Sequence, residues 1–314
     1  MGGGRPADQR PAVSRRRGRP MVAGRLGAAP AARRRPGGIG GAQDQLGPGA
    51  AGPAADGMDA HPQRPRCAIV TGAGHGLGRA FAARLAADGA QVVGAELDAH
   101  AGRAVARELA AQGGEAVTLA TAVADPAGVE RMAAGAVAAF GRIDVLVNHA
   151  AVFQAVPLLQ GAFETIPIAH REQVFRVDVI GTWRCCRAVV PEMRRLADGK
   201  IITLGSAAVF TGAAPSPLQY LTAKSAVVGF TRSLARALGP DGIRVNCVAP
   251  GRTASDAGGA DRPDAQAPAR LRERAITRVE LPADVVGAIS FLAGPDSDVI
   301  TGQTWVVDGG AAMP

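Results

Sequence analysis

The two residues best suited to proton chemistry stand four positions apart. Tyr220 is the only Tyr among 314 residues, and Lys224 is one of two Lys. On a helix, residues at i and i+4 share one face, so the ammonium would lie beside the phenol. A nearby ammonium lowers the pKa of a phenol from its usual value of about 10. The spacing therefore predicts a proton donor and acceptor that works near neutral pH.

A glycine-rich segment follows the first apolar run of the chain. Residues 71–78 read TGAGHGLG, between a predicted strand and a predicted helix. Glycines let a backbone turn sharply and approach a pyrophosphate, and the N-terminus of the next helix attracts the anion. In this setting the motif predicts a bound dinucleotide; the alternative is a tight turn that binds nothing.

An acidic residue ends the second apolar run. Glu96 lies about 20 residues beyond the glycines, where a carboxylate hydrogen-bonds ribose hydroxyls and repels a 2′-phosphate. No Arg follows it to neutralise such a phosphate. The pattern therefore predicts NAD(H) rather than NADP(H). In the alternative interpretation, Glu96 and Asp98 only cap the next helix.

These groups need a scaffold, and the hydrophobic pattern predicts one. Short apolar runs alternate with longer Ala-rich stretches, which predicts parallel strands joined by right-handed crossover helices. The expected fold is α/β: a single Rossmann-type, doubly wound parallel sheet of about seven strands with helices on both faces. The predicted strands are 67–71, 91–95, 116–120, 143–148, 200–204, 244–248 and 304–307. The predicted helices are 77–88, 99–112, 126–140, 168–196, 217–238 and 282–293.

Several separated motifs now occur in one order along the chain. They are the glycine turn, NHAA at 148–151, Ser206, the Tyr220–Lys224 pair, PG at 250–251, and TGQ to DGG at 301–310. In this arrangement the chain resembles the short-chain dehydrogenase/reductase family, over about residues 66–311.

The resemblance implies a role for each matching residue. Tyr220 would be the general acid/base, and Lys224 would lower its pKa and hydrogen-bond the nicotinamide ribose. Ser206 would hydrogen-bond the same substrate oxygen and steady its developing charge. Asp178 stands where the family usually has an Asn that holds a proton-relay water largely through its backbone carbonyl. The resemblance implies that Asp178 still serves, although a buried carboxylate near Tyr220 would raise the phenol pKa.

The predicted site has two overlapping sets of residues. The catalytic set is Tyr220, Lys224, Ser206 and Asp178. The cofactor-binding set lies along the strand ends and comprises Gly72, His75, Gly76, Leu77, Gly78, Glu96, Leu97, Val123, Asn148, Ala150, Tyr220, Lys224, Pro250, Gly251 and Thr253. No metal site is expected, because the His and Cys residues show no ligand spacing.

The predicted function is hydride transfer between NAD(H) and a neutral secondary alcohol or ketone. The resemblance also implies a mobile lid over the substrate at 252–281, with Gly258 and Gly259 as its hinges. Phe153, Phe163 and Phe210 are candidate pocket walls, although each fits equally well as a core residue. One alternative function is that of an NADPH-dependent 3-oxoacyl-carrier-protein reductase with a basic docking face. Another is a non-catalytic, cofactor-sensing binding protein, which would be expected to lack Tyr220 or Lys224.

The net charge of +8 is concentrated at the start of the chain. Ten of the 35 basic residues but only three of the 27 acidic ones precede Met58. The predicted catalytic domain, residues 66–314, is thus nearly neutral, and a nucleic-acid partner is not expected. Residues 1–65 are predicted to be a disordered Gly/Ala/Pro/Arg-rich tail. The tail has three interpretations: a nucleic-acid contact, a targeting peptide, or a segment that is not native because the protein starts at Met58.

Composition also bears on location and assembly. No apolar run reaches the length of a membrane span, and four Cys without a framework spacing do not indicate disulfides. We predict a cytoplasmic enzyme without a membrane partner. Members of the family commonly pair the long helices after strands four and five, which predicts a homodimer or homotetramer built on helices 168–196 and 217–238.

Overall fold

Parallel strands form the centre of the molecule. The computed structural model describes residues 65–152, 163–212, 217–255 and 271–314. Within these ranges, seven strands make one parallel sheet in the order β3-β2-β1-β4-β5-β6-β7. The strands are β1 (Cys67–Thr71), β2 (Gln91–Glu96), β3 (Ala116–Ala120), β4 (Val145–Asn148), β5 (Gly199–Leu204), β6 (Ile243–Pro250) and β7 (Thr304–Val307). The predicted Rossmann-type architecture is confirmed.

Helices connect the strands and cover both faces of the sheet. They are α1 (Gly76–Ala87), α2 (Ala99–Ala111), α3 (Pro126–Phe140), α4 (Ile168–Val174), α5 (Thr182–Leu196), α6 (Ala208–Thr211), α7 (Leu218–Leu238) and α8 (Pro282–Ala293). One hydrophobic core packs α3, α5 and α7 against the sheet, and the other packs α1, α2 and α8 against the opposite face. Strands that are apolar along their whole length fit a sheet buried on both sides.

The strand order reverses between β1 and β4. Thr71 at the end of β1 is in register with Asn148 at the end of β4. From this point the chain continues to β2 and β3 on one side and to β5, β6 and β7 on the other. Ligands of open α/β sheets bind in the crevice at such a reversal, beyond the carboxyl ends of the strands. The fold therefore places the glycine turn and the NHAA segment on either side of the expected crevice.

The long helix predicted over 168–196 is interrupted, so that prediction was wrong in detail. A π-helical segment, Phe175–Gly181, separates α4 from α5. Such a segment accommodates an extra residue through wider i→i+5 hydrogen bonding and is found mostly at functional sites. It carries Asp178, which is buried. Hydrophobic periodicity gives no sign of the change, because all three segments continue one helical path.

Some expectations lie outside the described residues. They include the disordered tail, apart from Pro65, and the proposed start at Met58. In the part of the chain that the structure describes, no helix is both long enough and apolar enough to span a membrane.

Candidate active site

The glycine turn between β1 and α1 forms a narrow cradle. Gly72 has a φ of +69°, a left-handed conformation that glycine adopts without strain, and its N–H donates to Ala95 O (2.8 Å). A Cβ on Gly78 would lie 2.0 Å from the Gly72 carbonyl oxygen, so only glycine fits where α1 passes the glycine turn. The side chain of His75 does not cap α1, which leaves the positive end of the helix dipole to an anion. The cradle fits a pyrophosphate.

The carboxylate of Glu96 is tied to this turn. Its Oε2 accepts from the Gly74 N–H (2.8 Å), and its Oε1 accepts from the Asp98 N–H (3.1 Å). Asp98 is the N-cap of α2, because its side chain accepts from the amides of His100 and Ala101. The two acidic residues therefore have different roles: Asp98 caps α2, and Glu96 binds the glycine turn.

Thr71 and His149 hold β4 against the turn. Thr71 Oγ1 accepts from the amides of His149 and Ala150, at 3.0 Å each. The His149 ring packs edge-on against Phe81, and its Nδ1 lies 3.2 Å from Gly72 O. Burial, with a smaller contribution from the Lys224 charge, lowers the pKa of His149 to about 4. His149 is therefore a neutral support for the cradle at neutral pH.

Asn148 lies just before that support and is buried. Its Nδ2 donates to the sulfur of Cys186 on α5 (3.4 Å). Its Oδ1 is buried without a hydrogen-bond partner in the structure. A buried amide oxygen normally has a partner, so Asn148 is an orphaned polar group beside the predicted cofactor crevice.

The pair predicted to transfer protons, Tyr220 and Lys224, lies on α7. Lys224 is 4% exposed, and its Nζ lies 5.6 Å from the centre of the Tyr220 ring. The Nζ donates to Leu204 O at the end of β5 (3.1 Å). Burial alone would lower the pKa of Lys224, but the facing charge of Asp178 and the Tyr220 phenol raise it above its usual value. The Lys224 amine therefore stays protonated beside the phenol at neutral pH.

Asp178 faces Lys224 from the π segment. Its Oδ2 lies 3.5 Å from Lys224 Nζ, and its Oδ1 accepts from the Val152 N–H (2.8 Å). Its backbone carbonyl accepts from Thr182 Oγ1 (2.7 Å). Burial raises the pKa of the Asp178 carboxyl, although Lys224 opposes this. The side chain of Asp178, and not only its backbone, thus belongs to the site.

Ser206 follows β5 on the same edge of the sheet. The flanking residues fix its backbone: Gly205 N donates to Val248 O (2.8 Å), and Ala207 N donates to Pro250 O (2.9 Å). Its Oγ accepts from the Ala208 N–H (3.4 Å) at the start of α6, a short helix that the sequence did not predict. Ser206 lies between the end of β5 and α6, and α6 contacts α7, the helix that carries Tyr220.

A buried acid that the sequence did not reveal lies behind Gly251. A Cβ on Gly251 would lie 2.5 Å from Glu280 Oε2, and Thr253 Oγ1 donates to Glu280 Oε1 (2.8 Å). The guanidinium of Arg274 lies 3.4 Å from Glu280. Glu280 thus packs against Gly251 and bonds Thr253, which fixes the segment that carries the predicted cofactor residues Pro250, Gly251 and Thr253. Burial raises the pKa of Glu280, which Thr253 and Arg274 partly counteract.

The positions of the remaining predicted residues neither support nor oppose their predicted roles. Leu97 follows β2 and is exposed. Gly76 and Leu77 are the first two residues of α1. Val123 is buried and contacts Gly181. Phe210 lies on α6 and is partly buried. Phe153, the side chain of Phe163, and the hinges Gly258 and Gly259 lie outside the described parts of the chain. No cluster of metal-ligating side chains occurs within the described residues.

Comparison with known proteins gives matches along most of the chain. The family model described as Enoyl-(Acyl carrier protein) reductase matches residues 72–312. The Short-chain reductase protein NovJ of Streptomyces niveus is 38% identical over 250 residues, which cover 77% of this chain and 92% of that protein. The (2S)-[(R)-hydroxy(phenyl)methyl]succinyl-CoA dehydrogenase subunit BbsD of Thauera aromatica is 35% identical over 248 residues, 79% of this chain and 97% of that protein.

Solved structures match over the same extent. The 3-ketoacyl-(acyl-carrier-protein) reductase from Brucella melitensis, complexed with NADH, superposes with a TM-score of 0.71 at 26% identity. The superposition covers 79% of this chain and 98% of that one. The family model alone spans residues 72–312, a range that includes Tyr220 and Lys224.

Proposed function

The chain belongs to the short-chain dehydrogenase/reductase family of oxidoreductases, and we propose that it moves a hydride between NAD(H) and a neutral secondary alcohol or ketone. The observation that carries this proposal is that buried Lys224 lies 5.6 Å from the centre of the Tyr220 ring and is bonded to the end of β5. The glycine cradle follows β1 at the same edge of the parallel sheet. The nicotinamide, when bound, supplies the hydride chemistry. The chain supplies proton transfer, orientation and charge.

In the proposed mechanism, Tyr220 exchanges a proton with the substrate oxygen. During oxidation the phenolate accepts the hydroxyl proton, and during reduction the phenol donates it back. The Lys224 ammonium favours the phenolate and is held in place by Leu204 O. Ser206 donates a hydrogen bond to the same oxygen and stabilises its developing negative charge. The backbone on either side of Ser206 is fixed by hydrogen bonds from Gly205 and Ala207 to β6, which supports this role.

The NAD(H) preference rests on Glu96. Its carboxylate is positioned by two backbone amides at the glycine turn, where an adenosine ribose would lie. Carboxylate oxygens accept hydrogen bonds from ribose hydroxyls and repel a 2′-phosphate. The residues proposed to hold the dinucleotide are the glycine turn, Glu96, the Asn148–Ala150 segment, and Pro250 to Thr253.

The substrate is proposed to be neutral because charge beside Tyr220 is balanced. Lys224 and Asp178 form an ion pair, so neither offers a full charge to an ionic substrate. An acyl-carrier-protein substrate is the second candidate, because the family model and the Brucella relative carry names of acyl-carrier-protein reductases. That alternative predicts NADPH as the preferred cofactor.

We also propose a homodimer or homotetramer in the cytoplasm. Four large apolar side chains are exposed on the predicted pairing helices and the π segment: Ile168, Ile180, Trp183 and Leu218. Exposed large apolar side chains on the helices proposed to pair support an interface there. The four cysteines are buried free thiols, in agreement with a reducing compartment.

The decisive experiment is a panel of secondary alcohols, ketones and 3-oxoacyl thioesters assayed with both cofactors. We expect turnover of a neutral alcohol with NAD, and loss of roughly 10²–10⁴-fold in kcat for Tyr220→Phe. Ser225→Ala is the matched control on the same helix, because that exposed hydroxyl bonds only to Leu221 O (2.9 Å) among its described contacts. Full turnover by Tyr220→Phe would refute the assigned proton donor, and preferred turnover of thioesters with NADPH would favour the second candidate.

A further inference from the structure

Lys224 faces a carboxylate at close range inside the protein. Asp178 is 1% exposed, and its Oδ2 lies 3.5 Å from Lys224 Nζ. The other oxygen is fixed by the Val152 amide, so the carboxylate cannot swing away without losing that bond. Two opposite charges in a medium of low dielectric constant influence each other, and every neighbouring titratable group, more strongly than they would in water.

Apart from Asp178 and Tyr220, the titratable groups around Lys224 carry no charge near neutral pH. His149, beyond β4, is neutral because its pKa is about 4. Cys247, on β6, is a thiol because burial raises its pKa. From β5 the contact is the carbonyl of Leu204. On α7 itself the neighbour is the Tyr220 phenol. The π segment therefore contributes the one carboxylate among these contacts.

We propose that Asp178 is a positioning residue that offsets the charge of Lys224 and so keeps the Tyr220 phenol more basic than the ammonium alone would make it. The ammonium draws the phenol towards its ionised form, and a carboxylate 3.5 Å from that ammonium opposes the effect. Asp178 therefore sets the pH range in which Tyr220 changes its protonation state. Neutral Asn, which has the same shape, would leave the ammonium unopposed.

The inference rests on the proposed function only in assuming that Tyr220 transfers the proton. The charge relationship itself exists in the protein without substrate or cofactor. Since Tyr220 is the only Tyr in the chain, phenolate formation reports on this residue alone. The proposal can therefore be tested independently of any reaction.

The experiment is an ultraviolet absorbance titration of the phenolate in wild type and Asp178→Asn. We expect the midpoint to fall by about one pH unit in the variant, the lower end of the effect of a nearby charge. The Asn Oδ1 can still accept from the Val152 amide, so the fold should persist. The acid limb of kcat/KM for alcohol oxidation should move in the same direction by a similar amount.

Two further variants separate charge from structure. Asp178→Ser also removes the charge and should shift the midpoint downwards, which keeps the test open if the Asn variant folds poorly. Asp298→Asn removes the carboxylate of a second Lys–Asp pair, with Lys200 at the opposite end of β5, and should leave the midpoint unchanged. An unchanged or raised midpoint in both folded Asp178 variants would overturn the proposal. A downward shift without any alcohol turnover would support it and count against the proposed function alone.

Discussion

The Glu96 carboxylate accepts a hydrogen bond from the Gly74 N–H at 2.8 Å, which ties the end of β2 to the glycine turn. The bond fixes the carboxylate beside the place proposed for the adenosine ribose. A fixed charge discriminates better than a mobile one, because it cannot withdraw from a 2′-phosphate. The bond thus connects the architecture of the turn with the choice of cofactor.

The first prediction concerns Glu96→Gln. The amide oxygen can still accept from Gly74, but the negative charge is lost. We expect the ratio of kcat/KM for NAD to that for NADP to fall by at least about tenfold, because close like charges cost several kcal/mol. Steady-state kinetics with both cofactors measure the ratio. Glu108→Gln, which removes an equal charge from the exposed face of α2, is the control and should leave the ratio unchanged. Equal ratios for wild type and Glu96→Gln would contradict the role of Glu96.

The second prediction concerns Gly78→Ala. The new Cβ would lie 2.0 Å from Gly72 O and 2.6 Å from the His149 ring, so the turn must open. We expect loss of dinucleotide binding, measured by calorimetric titration, and a lower midpoint of thermal unfolding.

Gly287→Ala is the matched control for that change. Gly287 lies within α8, and a Cβ there would meet nothing within 4 Å. Replacing an exposed helical Gly by Ala should stabilise the protein by up to about 1 kcal/mol and leave binding intact. If both variants bound the dinucleotide equally well, the cradle would not be its site.

Sequence patterns could predict the scaffold because its signals are local. The bounds of β1, β3, β7, α3 and α8 agree with their predicted ranges. The buried ion pair could not be predicted, because it depends on where the π segment turns Asp178. Glu280 was missed for a similar reason: it is 27 residues from Thr253 in the chain, and no local pattern connects the two. Contacts between residues distant in sequence arise from packing, which a single sequence does not display.

The third prediction concerns the pH dependence of stability. His149 has a pKa of about 4 in the native protein, against about 6.5 for an unfolded His. Above both values the imidazole is neutral in both states, and stability is unaffected. As the pH falls from 6.5 to 4, the unfolded state takes up a proton that the native state does not, so stability decreases by roughly 2–3 kcal/mol.

Chemical denaturation at several pH values measures this loss. His149→Asn removes the titrating ring, and its free energy of unfolding should fall less over the same interval. His100→Asn, at an exposed position on α2, should retain the wild-type dependence. Parallel curves for wild type and His149→Asn would show that the ring is not protected from protonation.

The fourth prediction concerns the proposed assembly through α5 and α7. Trp183 is 56% exposed on α5 and packs against Phe230 of α7, with ring centroids 5.0 Å apart. A partner that covered this pair would bury a large aromatic surface, and such Trp residues often contribute 2 kcal/mol or more to binding. Trp183→Glu should therefore weaken self-association by at least about thirtyfold. Sedimentation velocity over a range of concentrations would show the change in mass. Val299→Glu alters an apolar side chain that is 95% exposed outside these helices, and it should leave the assembly through α5 and α7 intact. A wild-type protein that sediments as a monomer at all concentrations would contradict the proposed interface.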